Sequence, residues 1–276
     1  MWRYNFGEIL STVFPELIAA KLVLILLSPS KTLDFSSQAK VKTPTSPEFT
    51  EEASELVGRL QKLSKKKLGE LMGMSDKLAE ENHQRFQDWS LENTSKNSKP
   101  CVLAYRGDVY DGLHADDWKA ADFKFAQRHL RILSGLYGVL RPLDAIQPYR
   151  LEMGTPLKVG RQKDLYAYWK ESITETISQA LRDARTSTVI NLASKEYSSA
   201  VDFSALEAEV ITPAFKEHRD GKYKFLSFFG KKARGLMAGY ILQSKLKKPD
   251  QIKRFDVDGY GFNEELSTDA EWLFTR

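Results

Sequence analysis

The chain has 276 residues, of which 42% are hydrophobic and 28% charged, with 10 Pro, 16 Gly and one Cys. That composition supports one large domain or two tightly joined ones, and excludes a disordered chain, a collagen-like fibre and a disulfide scaffold. A lone cysteine makes neither an intrachain disulfide nor a cysteine-rich metal site, so nothing asks for an oxidising compartment.

The net charge of +4 is unevenly spread. Residues 1–215 balance 28 basic against 28 acidic side chains. Residues 216–254 carry 12 basic and 3 acidic, a net of +9, and residues 255–276 carry 1 and 6, a net of −5. The basic block reads either as an anion-binding surface for phosphates or as a solvated face neutralised by the acidic tail folding against it.

In chain order, the aliphatic run Leu22 to Leu27 comes first. It is far too short to span a membrane. Glu8 and Glu16 precede it and no small-residue cleavage site follows, which argues against a signal peptide. It reads as a buried strand ended by Ser28-Pro29. Residues 36–50 and 90–100 are polar loops. Patterning predicts helices over 48–62, 64–72 and 75–90, a strand over 101–105, and helices over 120–134 and 164–184. Strands follow over 187–193, 208–215 and 222–229, a helix over 230–246 and a last strand over 271–275. The mixture predicts an α/β or α+β fold, a central sheet flanked by helices.

In the predicted helix 120–134, Phe123, Ala126, Leu130 and Leu133 form a core face, while Lys124, Arg128 and Arg131 share a stripe. The helix runs into Gly135-Leu136-Tyr137-Gly138 and then Arg141. A helix, a glycine hairpin and flanking arginines suggest a helix-hairpin-helix, whose backbone N–H groups hold nucleic-acid phosphates without reading sequence. The competing reading is a helix end and a turn with Tyr137 in the core. In the helix 230–246, Lys231, Lys232 and Arg234 flank small residues, Gly235 and Ala238. Small residues there admit either a phosphate backbone or a tightly packed neighbouring helix. If the two basic stripes meet in space, they form one positive groove.

A dispersed polar set lies just past the predicted strands: Lys31, Asp108, Arg150, Glu152, Asn191 and Lys195. Residues at such positions gather in ligand crevices of α/β folds. Lys31, Arg150 and Lys195 suit a phosphate, and Asp108, Glu152 or Glu196 an acid or base. Taken singly, each is an ordinary loop ion pair. The chain has no phosphate-binding P-loop, no dinucleotide fingerprint, no nucleophile elbow and no zinc-protease helix. His83, His114, His129 and His218 show no metal-ligand spacing, and Cys101 reads as a buried structural thiol. No metal and no cofactor is expected. Glu264, Glu265, Asp269 and Glu271 read as a solvated tail rather than iron ligands.

LILLSPSKTLDF (24–35), SDKLAEENHQRFQDW (75–89), YRGDVYDGL (105–113), FAQRHLRILSGLYGVLRPLDAIQPYRLEMG (125–154), VINLASKEY (189–197) and FFGKKARGLMAGYI (228–241) together resemble the YaaA family of bacterial peroxide stress proteins. The resemblance implies a cytosolic protein, induced by hydrogen peroxide, that limits free intracellular iron. It also implies DNA binding through a helix-hairpin-helix in a mixed α/β fold with a basic groove. DNA is then the expected partner, gripped by its backbone with little sequence preference, and no membrane is expected. Residues 22–276 read as a single domain of this family, and residues 1–21 as a weakly ordered N-terminal extension. The alternative is an enzyme acting on a nucleotide or nucleic acid at the crevice of Lys31, Asp108, Arg150, Glu152 and Lys195.

Overall fold

A computed structural model of the chain describes residues 23–37, 41 and 43–276. The expectation of a weakly ordered extension over 1–21 falls outside them. At the centre lies β1 (Leu24–Leu27), whose four aliphatic side chains are all fully buried. It pairs in parallel with β5 (Leu130–Ser134) on one side and β8 (Thr188–Asn191) on the other. Beyond β8 lie β9 (Glu209–Arg219) and β12 (Glu271–Thr275), both parallel to the strands they join. Antiparallel strands finish the sheet: β6 (Gly138–Leu140), β11 (Gly261–Phe262), and β10 (Lys222–Lys224) hairpinned onto β9. Continuous apolar runs such as LILL and TVIN suit parallel strands covered on both faces. Two small two-stranded sheets lie apart: β2 (Thr32–Leu33) with β4 (Tyr105–Arg106), and β3 (Lys99–Pro100) with β7 (Ala145–Ile146).

The helices α1 (Thr50–Leu60), α2 (Lys65–Met72) and α3 (Asp76–Asp88) match the sequence expectation closely. Ser64 accepts a hydrogen bond from Lys67 N to start α2, and Gly73 at φ 60° ends it. The mixed α/β sheet expected from the pattern is what the chain forms, but the strand expected over 222–229 holds only as β10, since the next helix already begins at Ser227, and two further segments differ from expectation.

The first is Cys101–Ala104, expected as a strand. It is one helical turn, α4, buried throughout. Its leading N–H groups would otherwise be orphans; Cys101 N donates to Asp144 O and Val102 N to Pro142 O. The Cys101 thiol lies 3.1 Å from Arg141 O, and burial pushes its pKa well above the ordinary value. It is a packed, unreactive thiol.

The second difference removes the helix-hairpin-helix. The helix expected over 120–134 is α6 (Ala120–His129) only. At Leu130 the backbone turns extended (φ −120°, ψ 134°), and Leu130–Ser134 becomes β5. Beyond β5 the chain forms a β-hairpin, with Ser134 opposite Gly138, not a second helix. The turn is sealed inside the protein: Leu136 is 0% and Tyr137 1% exposed. The amides of Leu136 and Tyr137 both donate to Ser134 Oγ, so neither is offered to a phosphate. A Cβ on Gly135 would lie 2.3 Å from Leu151 O, and one on Gly138 (φ 64°) 2.9 Å from the Trp169 ring. The glycines admit the protein's own chain rather than DNA.

Three further helices complete the frame: α5 (Asp108–Leu113), α7 (Leu165–Ala184) and α9 (Ser227–Gln243); α8 (Lys195–Ser198) is a single turn. α6 and α7 pack against β1, and α9 against β9 and α5. The α5–α9 contact is a glycine seam. A Cβ on Gly235 would lie 1.8 Å from Val109 O, and one on Gly112 2.3 Å from Lys232 O. The small residues of α9 serve helix packing, not close approach of a phosphate backbone.

Candidate functional site

The connection leaving β1 leads towards β5, whereas the one leaving β8 leads to β9 on the opposite side. Ligand crevices of open α/β sheets form at such a reversal, outside the strands' carboxyl ends. Here the loops after β1 and β8 meet: Ser194 N donates to Ser28 Oγ at 2.8 Å, and the two hydroxyls lie 3.2 Å apart. Tyr110 OH, from α5, donates to Ser28 O.

Above these loops the expected cations and acid converge. Lys31 Nζ lies 2.8 Å and Arg150 Nη2 3.0 Å from the same oxygen, Glu152 Oε1. Arg150 Nε and Glu152 Oε2 are buried with no hydrogen-bond partner among the described residues. Buried polar atoms are seldom left so, and here a donor and an acceptor stand open together. Asn191 is 7% exposed; it accepts from Ala193 N and donates to Thr212 Oγ1, fixing the loop. Lys195 is exposed and forms no ion pair among the described residues. Asp108 sits next to Gly107, where a Cβ would lie 3.5 Å from Ser30 Oγ. Glu196, the third carboxylate expected as an acid or base, accepts from Gly154 N at 3.2 Å.

The basic residues divide into separate groups. Arg131 lies in β5, 7% exposed, its guanidinium donating to Gln127 O and Leu130 O. Burial lowers its pKa to about 10. Arg141 is held in its own turn by the buried Asp144 carboxylate, 3.0 Å away, and by Ser46 O. Lys124 and Arg128 are exposed on α6, where they line a cavity of about 820 Å³. Lys231, Lys232 and Arg234 sit in the first turns of α9. α6 packs against α9, and Asp122 of α6 pairs with Lys245, just past the end of α9 opposite to Lys231. The two stripes are thus on neighbouring helices, and Arg131 belongs to neither.

Around the start of α9 the surface is both basic and aromatic. Asp220 and Gly221, both at positive φ, turn β9 into β10. Tyr223, Phe225 and Phe228 are 42%, 55% and 60% exposed. They alternate along the chain with Lys222, Lys224 and Lys231, all exposed. The Phe225 ring lies over Gly230, where a Cβ would come within 2.8 Å of it. Arg234 is half-buried, with its pKa lowered by that burial and with no hydrogen-bond or ion-pair partner among the described residues. The acidic tail does not neutralise this edge. Among the described residues, its carboxylates make a single ion pair, from Asp258 to Arg276 within the tail itself.

No helix among the described residues is long and apolar enough to cross a membrane. A sequence model of the peroxide stress protein YaaA family matches residues 23–266. The chain is 52% identical over 255 residues to a UPF0246 protein of Saccharophagus degradans, covering 92% of this chain and 99% of that one. UPF0246 proteins of Teredinibacter turnerae and Ralstonia pickettii are each 48% identical over 254 residues, with the same coverage. The chain belongs to the peroxide stress protein YaaA family.

Proposed function

We propose that this peroxide stress protein binds DNA by its phosphate backbone, at the edge formed by the β9–β10 hairpin and the first turns of α9. The observation that carries this reading is Arg234: a half-buried guanidinium with no partner among the described residues, beside Lys231 and Lys232, which form no ion pair there either. Burying a guanidinium is costly unless an anion meets it, and a phosphate oxygen is such an anion. The exposed Tyr223, Phe225 and Phe228 supply faces on which an unpaired base can stack. The resemblance also implies limitation of free iron; iron-driven radical chemistry damages DNA, so both roles would protect the same molecule.

Phosphates look alike in every sequence, so binding should show little sequence preference and fall steeply with salt. Three to five contacts from Arg219, Lys222, Lys231, Lys232 and Arg234 give a slope of log K against log salt of roughly −3 to −5. Replacing Lys231 and Arg234 together by Ala should weaken binding equally on two unrelated duplexes and flatten the slope by up to about 2. Anisotropy titrations at several salt concentrations measure this. A slope that the double variant leaves unchanged, with the protein folded, removes α9 from the interface.

A second reading, an enzyme acting on a nucleotide or nucleic acid, is favoured by the crevice. Its open Arg150 Nε and Glu152 Oε2 would be matched by a ligand that both accepts and donates.

A further inference from the structure

The cavity of about 820 Å³ beside α6 shares no lining residue with the crevice or the aromatic edge, and falls in the size range of small-molecule sites, about 300–1,000 Å³. Leu103, Trp118 and Phe123 give it an apolar wall, with the Trp118 and Phe123 rings edge to face at 5.4 Å. Lys99, 4% exposed at its wall, already donates to Asp34 O and lies 3.9 Å from the Asp34 carboxylate, whereas Lys124 and Arg128 are exposed cations on its lining with no ion pair among the described residues. Asp116 is the single acidic residue lining it among the described residues, and it already pairs with Arg106 at 3.3 Å. Trp118 is 7% exposed, and its indole N–H is buried with no partner among the described residues.

The chemistry narrows what fits. Apolar and aromatic walls take a flat ring. The open indole N–H needs an acceptor, which a heterocycle offers and a hydrocarbon chain does not. Gln127, also on the lining, makes its hydrogen bonds elsewhere, donating to Thr45 Oγ1 and accepting from Leu143 N. Lys124 and Arg128, which have no ion-pair partner among the described residues, take an anion. We propose that this cavity binds a nucleotide, its base against Trp118 and Phe123 and its phosphate at Lys124 and Arg128. The nucleotide is either free or an unpaired residue of a strand; both present the same ring and phosphate.

The test is calorimetric titration of the full chain with AMP, UMP, adenosine and ribose 5-phosphate, repeated on Trp118→Phe and on Lys124→Ala/Arg128→Ala. Trp118→Phe keeps an aromatic face and removes the N–H, so it should weaken AMP and adenosine about fivefold and leave ribose 5-phosphate unchanged. The double variant should weaken AMP about tenfold and leave adenosine unchanged. Circular dichroism of each variant checks folding; because the double variant changes only exposed residues, it remains informative should Trp118→Phe fail to fold. Absence of saturable binding by AMP and UMP overturns the proposal. So does AMP bound no better than ribose 5-phosphate, or AMP binding that survives both variants but is lost in Lys31→Ala, which places the ligand in the crevice. A duplex with one unpaired adenosine, compared with its fully paired counterpart, separates the sources. Trp118→Phe lowers that preference if the nucleotide comes from a strand, and leaves it unchanged if the ligand is a free nucleotide. These outcomes do not depend on the α9 edge, whose failure would leave the mononucleotide titrations intact.

Discussion

His129 shows how burial makes a side chain sensitive to pH. It is 2% exposed at the end of α6, with Nδ1 3.1 Å from Val23 O and its ring 4.3 Å from that of Phe125. Burial pulls its pKa below the ordinary value, and the neighbouring Arg128 and Arg131 charges push the same way, against the Val23 hydrogen bond. The unfolded chain takes up this proton near pH 6.5 and the folded one only at lower pH. Between those values the unfolded state holds more protons, so stability falls as pH drops through about 6.5. The urea midpoint of the wild type should therefore fall between pH 7 and pH 5. His129→Gln, which can still donate to Val23 O, should show a flatter profile. An equal fall in both would assign the effect to other groups. His129 was legible in the sequence only as a histidine without metal-ligand spacing; its burial comes from the sheet, which periodicity did not reveal at that point.

Among elements, the α5–α9 contact separates two readings of the same glycines. Had the small residues of α9 made room for DNA, Gly235→Ala would raise helix stability by about 1 kcal/mol and weaken binding alone. The Cβ instead meets Val109 O at 1.8 Å, so the substitution must push α5 and α9 apart. It should lower the unfolding free energy by about 1–3 kcal/mol, read as a reduced denaturant midpoint at constant slope. The other elements show where sequence patterning succeeds. β1, β8 and β12 were plain from short aliphatic or aromatic runs, and α1 to α3 and α7 from apolar spacing with polar starts. The α6–β5 junction was hidden because Leu130, Ile132 and Leu133 continue the apolar content of the helix, with no Gly or Pro between. A fully buried run has no period to tell helix from strand. The Cys101–Ala104 turn was hidden for a different reason: its acceptors, Pro142 O and Asp144 O, belong to a distant stretch of the chain.

For the molecule as a whole, the sites differ in how far apart their parts lie in sequence. The crevice was legible only in part: Lys31 and Lys195 follow β1 and β8, whose ends meet because the strands pair in one sheet, whereas Arg150 and Glu152 come from a loop outside that sheet. The cavity was not legible. Lys99 lies in a stretch that reads as a linker, and Trp118, Phe123 and Leu143 belong to other segments. The same distances bear on synthesis. β1 is the first strand of the sheet to be made and stands at its middle, between β5 and β8. At roughly 5–20 residues per second, the chain waits about 5–20 s for β5 and about 10–30 s for β8. Through that interval Leu24–Leu27 has no lasting partner on one edge, then on the other. A nascent chain ending between β6 and β8 should therefore pellet on release and engage chaperones, while one extended through β12 should not. Replacing Ile25 by Lys should relieve the aggregation of the shorter chain while preventing the longer one from folding.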